Sequence, residues 1–113
     1  MSRFYNIDGE PITMEEWARL LDIREYAVVA WDEVGAGIKV STVWLGLDHN
    51  FFGGPPLIFE TMVFTLRDEP YVMPSGTEYW WEGVEQYRYS TLVEAEAGHT
   101  RILEMVRVLE DVQ

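Results

Sequence analysis

Two segments typical of β-strands dominate the middle of this chain, IKVSTVWLGL at 38–47 and LIFETMVFTL at 57–66. Both are rich in the β-branched and aromatic residues that strands favour. The first is apolar on both alternating faces, which is typical of a strand in the middle of a sheet. We therefore predict that the two segments pair antiparallel, with the chain between them turning back on itself.

The link between these segments, DHNFFGGPP at 48–56, is longer than an ordinary hairpin turn. Asp48 and Asn50 are residue types that bond nearby backbone in turns, and the two glycines allow close approach of a ligand or another chain. Two interpretations stay open. The link either needs this chemistry only for its own shape, or it is a functional loop in which His49, Asn50 and Phe51 or Phe52 contact a ligand or a second subunit.

Capping boxes predict the starts of two helices. Thr13 with Glu16, and Thr91 with Glu94, each place a hydroxyl and a carboxyl three residues apart, where they satisfy free N–H groups of a first helical turn. The first helix is expected to end by Arg24, and the second is expected to run to the end of its apolar stripe. That stripe consists of Leu92, Ala95, His99, Ile102, Val106 and Leu109.

These elements predict an α+β fold, with a small antiparallel sheet, an N-terminal helix and a long C-terminal helix packed on one sheet face. The 113 residues are the length of one domain, and we expect a single domain over 1–113. A third strand is expected around 86–89, and the segment 25–34 favours a strand despite an unclear period. RDEPYVMPSGTE at 67–78 is interpreted as a polar insertion. FYNIDGEPI at 4–12 predicts a short strand with a turn at Asp8-Gly9.

Composition and charge exclude several classes of function. The net charge is −12 with only 8 Lys and Arg, which excludes broad contact with a nucleic-acid backbone. A small phosphate ligand remains compatible, because two or three Arg side chains can hold one. The sequence has no Cys, no apolar run long enough to span a bilayer and no signal-peptide pattern. We therefore expect a cytoplasmic protein without disulfides, membrane segments or nucleic-acid partners.

No known catalytic motif appears in the sequence. It lacks a nucleophile elbow, a Walker loop, a zinc-protease motif and a Cys nucleophile. The two His residues and the scattered acids do not have the spacing of a metal site. We expect no enzymatic activity, no metal and no cofactor.

Several charged residues allow both a structural and a functional interpretation. Glu60 lies in a strand between apolar neighbours, so it is either a half-exposed or ion-paired residue, or a ligand that bonds a ribose hydroxyl. Arg88 precedes the second helix and would form an anion site with that helix N-terminus, or else pair with a surface acid. Arg101 and Arg107 carry the same ambiguity. His99, within the apolar stripe, is expected to be a core or interface histidine with a hydrogen-bond partner.

The segments VSTVWLGLDHNF, GPPLIFETMVF and YRYSTLVEAEAGH resemble a widespread group of small phage and prophage proteins. The matching blocks, 40–64 and 87–99, cover about a third of the chain. The layout of a sheet followed by a long C-terminal helix is also similar to that of the phage anti-Thoeris sponge proteins. That resemblance implies a homo-oligomer that sequesters a cyclic ADP-ribose isomer, the immune signal of bacterial TIR enzymes, without cleaving it.

The resemblance gives the candidate residues expected roles in an infected host cell. Arg88, Arg101 and Arg107 are expected to bind phosphate, whereas His49, Asn50 and Glu60 are expected to donate or accept hydrogen bonds. Phe51 or Phe52 is expected to stack on a base. Two features depart from the group, because the chain is strongly acidic and the segment 67–83 lies outside the shared blocks.

Two other functions remain as alternatives. An acidic phage protein would bind a host protein, with the loop aromatics and Trp80-Trp81 as anchors, or have a purely structural role. A hydrolase would use Glu60 or His99 as a general base. Homo-oligomerisation is expected in each case, because a small aromatic-rich sheet leaves apolar surface for a partner to cover.

Overall fold

The computed structural model describes residues 3–112 and confirms the predicted α+β class. Its sheet has four antiparallel strands that follow one another in chain order. The strands are β1 Val28–Val34, β2 Ile38–Trp44, β3 Phe59–Val72 and β4 Glu78–Tyr89. The helices are α1 Met14–Leu21, α2 Arg24–Ala27 and α3 Leu92–Val112. Among the residues described, no helix is both long and apolar enough to cross a bilayer.

Strand β2 is a central strand, as predicted, and pairs with β1 on one side and β3 on the other. Its residues alternate, with Val40, Thr42 and Trp44 buried and the residues between them partly exposed. Only one face of the sheet is therefore covered, although the apolar sequence of β2 predicted burial of both. We call the side of Val40, Thr42 and Trp44 the covered face and the opposite side the open face.

Helix α3 lies on the covered face. Ala95, His99 and Ile102 of the predicted stripe are buried between the helix and the sheet. Gly98 lies against the Tyr89 ring so closely that a Cβ at this position would overlap it, which explains a glycine inside a helix. The whole stripe was predicted to pack on the sheet, but its last residue, Leu109, is 61% exposed.

The N-terminal segment closes one end of the covered face. Thr13 caps α1 as predicted, accepting a hydrogen bond from the Glu16 backbone N–H at 3.1 Å. Trp17 on this helix donates its indole N–H to the Leu45 carbonyl at 2.8 Å. The indole of Trp44 packs in the same cluster, which includes Leu20 of α1. The predicted strand at 4–12 forms isolated bridges, one between Tyr5 and Pro11 across the turn at residues 7–9 and one between Phe4 and Leu47.

The prediction of a polar insertion at 67–78 is wrong. Strand β3 continues to Val72, the chain turns at residues 73–77, and β4 returns directly beside it with Tyr79 opposite Tyr71. Backbone pairing overrides the polar sequence here, because a hairpin satisfies its N–H and C=O groups through the ladder whatever its side chains are. We call residues 66–72 together with 78–82 the ribbon.

Candidate functional site

The open face is a sheet surface that α3 does not cover. The side chain of His99 on α3 bonds Thr42 of the covered face, so the residues on either side of Thr42 point away from the helix. In β2 these are Lys39, Ser41 and Val43, all partly exposed. A surface without a covering element is where a ligand or partner can reach the sheet.

Glu60 and Arg88 meet on this open face. They are directly opposite in the β3–β4 ladder, and the Arg88 Nε donates to Glu60 Oε2 at 3.1 Å. The side chains are 15% and 33% exposed, respectively, so the pair is half-buried. Within residues 3–112, the Nη groups of Arg88 make no further hydrogen bond. Glu60 therefore holds the guanidinium at its Nε, and the two Nη groups form the other edge of the guanidinium.

Arg88 and the N-terminus of the following helix, which the sequence combined as one possible anion site, have separate partners. That terminus carries its own capping box, in which Thr91 Oγ1 accepts from the Glu94 N–H and Glu94 Oε1 accepts from the Thr91 N–H, each at 3.1 Å. The Glu94 carboxylate occupies the position where an anion would bind and repels it. Arg88 itself is bonded to Glu60 instead.

Arg101 and Arg107 lie on α3 and do not join Arg88. Arg101 is close to Tyr87, a residue of the covered side that pairs with Thr61 in the ladder. Tyr87 donates its hydroxyl to Glu85, and this bond raises the Tyr87 pKa above its ordinary value of 10.0, while Arg101 opposes the rise. Arg107 is six residues further on, about 240° around the helix from Arg101. The three predicted phosphate ligands therefore do not form one cluster.

Loop 48–56 is shaped by the turn chemistry that the sequence offered as one of its two interpretations. The Asp48 carboxylate accepts from the backbone N–H groups of Asn50 at 2.8 Å and Leu57 at 3.0 Å. Asn50 donates its side-chain amide to the Pro55 carbonyl at 2.9 Å and accepts from the Phe52 N–H at 3.2 Å. Both ends of the Asn50 amide thus hold the loop, and a ligand would have to compete with these bonds.

The aromatic residues of loop 48–56 are its exposed part. Phe51 is 74% exposed and Phe52 is 99% exposed, and the His49 ring stands edge-on to Phe51 at 6.4 Å between centroids. The loop rejoins the sheet at Leu57, which is about 10 Å along the chain from Glu60 at strand spacing. The structure therefore places the loop at the end of the sheet that carries the Glu60–Arg88 pair.

A chain of buried polar groups, which sequence analysis did not find, connects α3 to the sheet. Thr61 Oγ1 lies 2.5 Å from Thr42 Oγ1, Thr42 Oγ1 lies 2.7 Å from His99 Nδ1, and His99 Nε2 lies 2.8 Å from Asp32 Oδ2. All groups are satisfied when a neutral His99 donates from Nε2 to Asp32 and accepts at Nδ1 from Thr42. His99 is thus a core histidine with partners, as predicted. The only sequence signal for the threonines is their position on the buried alternation of β2 and β3.

This hydrogen-bonded network contains the hydroxyl, imidazole and carboxylate that nucleophilic hydrolases use. Thr42 and Thr61 are both 0% exposed, however, so a substrate carbonyl cannot reach either oxygen. The network therefore ties the helix to β1 and β2 rather than presenting a nucleophile. Among residues 3–112 no three His, Cys, Asp or Glu side chains come together in a way that would hold a metal ion.

Comparison with known proteins gives no family or function for this chain. No protein-family model, curated protein or solved structure matches the chain. The fold and the site together define a small antiparallel sheet with one helix-covered face and one open face. The open face carries an arginine that is oriented by a neighbouring carboxylate.

Proposed function

We propose that this protein is a non-enzymatic binding protein that holds a small nucleotide at the Glu60–Arg88 end of the open face. The observation that carries the proposal is the Arg88 guanidinium, held at Nε by a carboxylate that is 15% exposed, with its remaining N–H groups free of bonds in the described chain. Such a preoriented fork loses little entropy when it binds a phosphate group.

The proposed ligand is a cyclic ADP-ribose isomer. The resemblance of the sequence to phage proteins and to anti-Thoeris sponges supports this class. Glu60 Oε1 is available to a ribose hydroxyl, and His49 and Phe51 offer an imidazole and an exposed ring at the same end of the sheet. Arg101 and Arg107 are not needed for this site. A phage protein of this kind would remove an immune signal from the infected cell and so counteract the host defence.

The absence of turnover in this proposal rests on the existing contacts of the two general bases that the sequence suggested, His99 and Glu60. The imidazole that would serve as a base, His99, is 4% exposed and already bonded at both nitrogens. A base has to reach the proton it abstracts, directly or through one water molecule. Glu60 is already engaged by Arg88, which donates its Nε–H to Glu60 Oε2.

A depletion assay tests this function. The purified protein is mixed with a panel of cyclic nucleotides and cyclic ADP-ribose isomers, the protein is removed by filtration, and the filtrate is chromatographed before and after the protein is heated. A compound that disappears and returns intact on heating supports the proposal. A compound that returns altered identifies an enzyme, and a panel without any depletion contradicts the sponge function.

Two variants of one residue type locate the site. Arg88→Lys keeps a cation beside Glu60 but loses the planar fork, so ligand affinity should fall roughly 10- to 100-fold, as expected for one charge-assisted hydrogen bond of about 1.5–3 kcal/mol. Arg107→Lys on α3 is the matched control and should bind as the wild type does. Equal losses in both variants, or no loss in Arg88→Lys, would place the ligand elsewhere.

A second candidate function, binding to a host protein, is favoured by Phe52. A phenylalanine that is 99% exposed on a loop with ordered hydrogen bonds is the kind of residue that anchors protein interfaces. This function predicts one stable partner in host extracts that is lost in Phe52→Ser and kept in Val93→Ser, whose side chain on α3 is also exposed. It also predicts that no nucleotide is depleted.

A further inference from the structure

The open face carries a group of aromatic and aliphatic residues away from the Glu60–Arg88 pair. They come from β1, β3 and β4, including the ribbon, and we call them the aromatic patch. Its members are Trp31, Phe64, Leu66, Tyr71, Tyr79 and Trp81.

The strand register shows that these residues share one side of the sheet. Trp31 is opposite Ser41, Phe64 is opposite Lys39, and Leu66 is opposite Trp81, and residues directly opposite in a ladder point to the same face. The β3–β4 ladder is irregular between Leu66 and Tyr71, so the ribbon tip is placed from β4. Tyr79 is two residues from Trp81 along β4, which by strand alternation puts it on the same side, and Tyr71 is directly opposite Tyr79.

Lys39 confirms this arrangement by direct contact. Its ammonium lies 3.9 Å from the centroid of the Trp81 ring and 5.8 Å from that of Trp31. The two indoles thus stand on either side of the same cation on the open face. A lysine bound to aromatic rings is already partly compensated for loss of water, so its position is compatible with burial under a partner.

The side chains of the aromatic patch are far more exposed to solvent than aromatic residues normally are on the surface of a monomer. Tyr71 and Tyr79 are 58% and 52% exposed, and Trp31 is 47% exposed. The solvent side of an antiparallel sheet normally alternates to polar residues, whereas this side is aromatic and aliphatic. A two-stranded ribbon is also only marginally stable in water without a surface to pack on. Both observations indicate that another layer covers this face.

The charge distribution indicates what kind of partner covers the open face. The chain has a net charge of −12, but the charged residues on the open face of the four-stranded part are Glu33, Lys39, Glu60 and Arg88, whose charges cancel. Two copies of so acidic a chain repel each other over most of their surfaces. They meet at lowest electrostatic cost through the four-stranded part of the open face, where these charges cancel, and a strongly basic or acidic partner would gain nothing there.

The size of the face also fits a second copy. Strand β3 has 14 residues, seven of which pair with β2. At about 3.3 Å per residue and about 4.8 Å between strands, the four-stranded part and the ribbon together present roughly 650 Å². A standard protein interface buries about 800 Å² on each partner, so the face is close to the area that a stable dimer needs.

We propose that two copies of this chain pack open face against open face, with their aromatic patches in contact around a two-fold axis. The interface is isologous, which means that both copies contribute the same surface patch to it. The two sheets would lie about 10 Å apart, as in a β-sandwich. The area and the charges counted above include the Glu60–Arg88 pair, so a dimer over the whole face would exclude a nucleotide there. The mass measurement tests the dimer without reference to the nucleotide function.

The mass of the protein in solution tests the dimer. Light scattering after gel filtration, from micromolar to millimolar concentration, should give twice the chain mass of 13.2 kDa for the wild type. Leu66→Glu places a carboxylate in the patch and should give a monomer. Val93→Glu adds the same charge at an exposed position of α3 and should remain a dimer.

Lys39 provides a second, local measurement, because it is the only lysine in the sequence. Acylation of its amine by a succinimidyl ester should slow as the wild-type concentration rises, and should stay fast in Leu66→Glu. Circular dichroism confirms that the variant is folded, and Tyr79→Ser replaces it if it is not. A monomeric wild type at every concentration, or a dimer that survives Leu66→Glu and Tyr79→Ser, overturns the proposal.

Discussion

Thr42 Oγ1 and His99 Nδ1 lie 2.7 Å apart in the buried layer between the sheet and α3. This bond joins Thr42 of a central strand to His99 of α3, which is 57 residues later in the sequence. It belongs to a chain that runs from a fully buried threonine pair to the partly exposed carboxylate of Asp32. Each group in the chain depends on the next for a partner, so its loss has a cost larger than that of one bond.

We expect His99→Ala to lower the free energy of unfolding by about 2–4 kcal/mol, because it leaves a cavity and removes the acceptor of the Thr42 hydroxyl. Urea denaturation followed by tryptophan fluorescence measures this change. Thr100→Ala, at an exposed position one residue along, is the control and should change stability by less than about 1 kcal/mol. A change in His99→Ala as small as that of the control would refute a supporting role for the network.

Gly98→Ala is expected to destabilise the protein, although alanine is the better helix former by about 1 kcal/mol. A Cβ at this position overlaps the Tyr89 ring, and such overpacking costs about 1–3 kcal/mol. In a Tyr89→Leu background the penalty should shrink, because the ring is gone. Thermal denaturation of the four proteins in this cycle measures the coupling, and additive effects would contradict the proposed contact.

Tyr89→Phe should be neutral or stabilising by up to about 1 kcal/mol. The Tyr89 hydroxyl is buried and has no hydrogen-bond partner among residues 3–112, so its removal ends a desolvation cost. The melting temperature compared with the wild type is the readout. Tyr26→Phe is the contrasting variant, because its hydroxyl accepts a bond from the Ile7 N–H at 2.7 Å and its loss should destabilise. A marked destabilisation by Tyr89→Phe would mean that the hydroxyl has a partner in solution.

Glu85→Gln should lower the pKa of Tyr87 towards its ordinary value of 10.0. The hydrogen bond to the Glu85 carboxylate holds the phenol in its neutral form, and the negative charge of Glu85 acts in the same direction. Because the folded pKa is raised, this contribution to stability is present below pH 10 and is lost as the pH rises through the raised value. NMR titration of the Tyr87 ring measures the shift, with Glu96→Gln on α3 as a control that should leave it unchanged.

Asp48→Ala should loosen loop 48–56 and leave the sheet intact. The Asp48 carboxylate accepts two backbone N–H groups that span the loop, from Asn50 and Leu57. Their loss should speed amide hydrogen exchange within the loop, and we expect a fall in global stability of about 1–2 kcal/mol at most. Asp8→Ala, in the exposed N-terminal turn, is the control. Unchanged exchange in the loop would show that Gly53, Gly54 and the prolines alone fix its shape.

The sequence by itself determined the local elements. The two capping boxes placed the starts of α1 and α3, and the apolar, β-branched sequence of β2 placed it in the middle of the sheet. The turn bonds of Asp48 and Asn50 were one of the two interpretations that the sequence left open. These features depend on neighbours a few residues apart, so they are encoded in short stretches of sequence.

Only the tertiary structure decided which distant residues meet. It placed Arg88 beside Glu60 rather than at the helix terminus, separated Arg88 from the arginines of α3, and joined His99 to Thr42. It also turned an apparent polar insertion into a ribbon and left one sheet face open. Strand register and helix placement determine these contacts, because a one-residue change in register moves a side chain to the other face of the sheet.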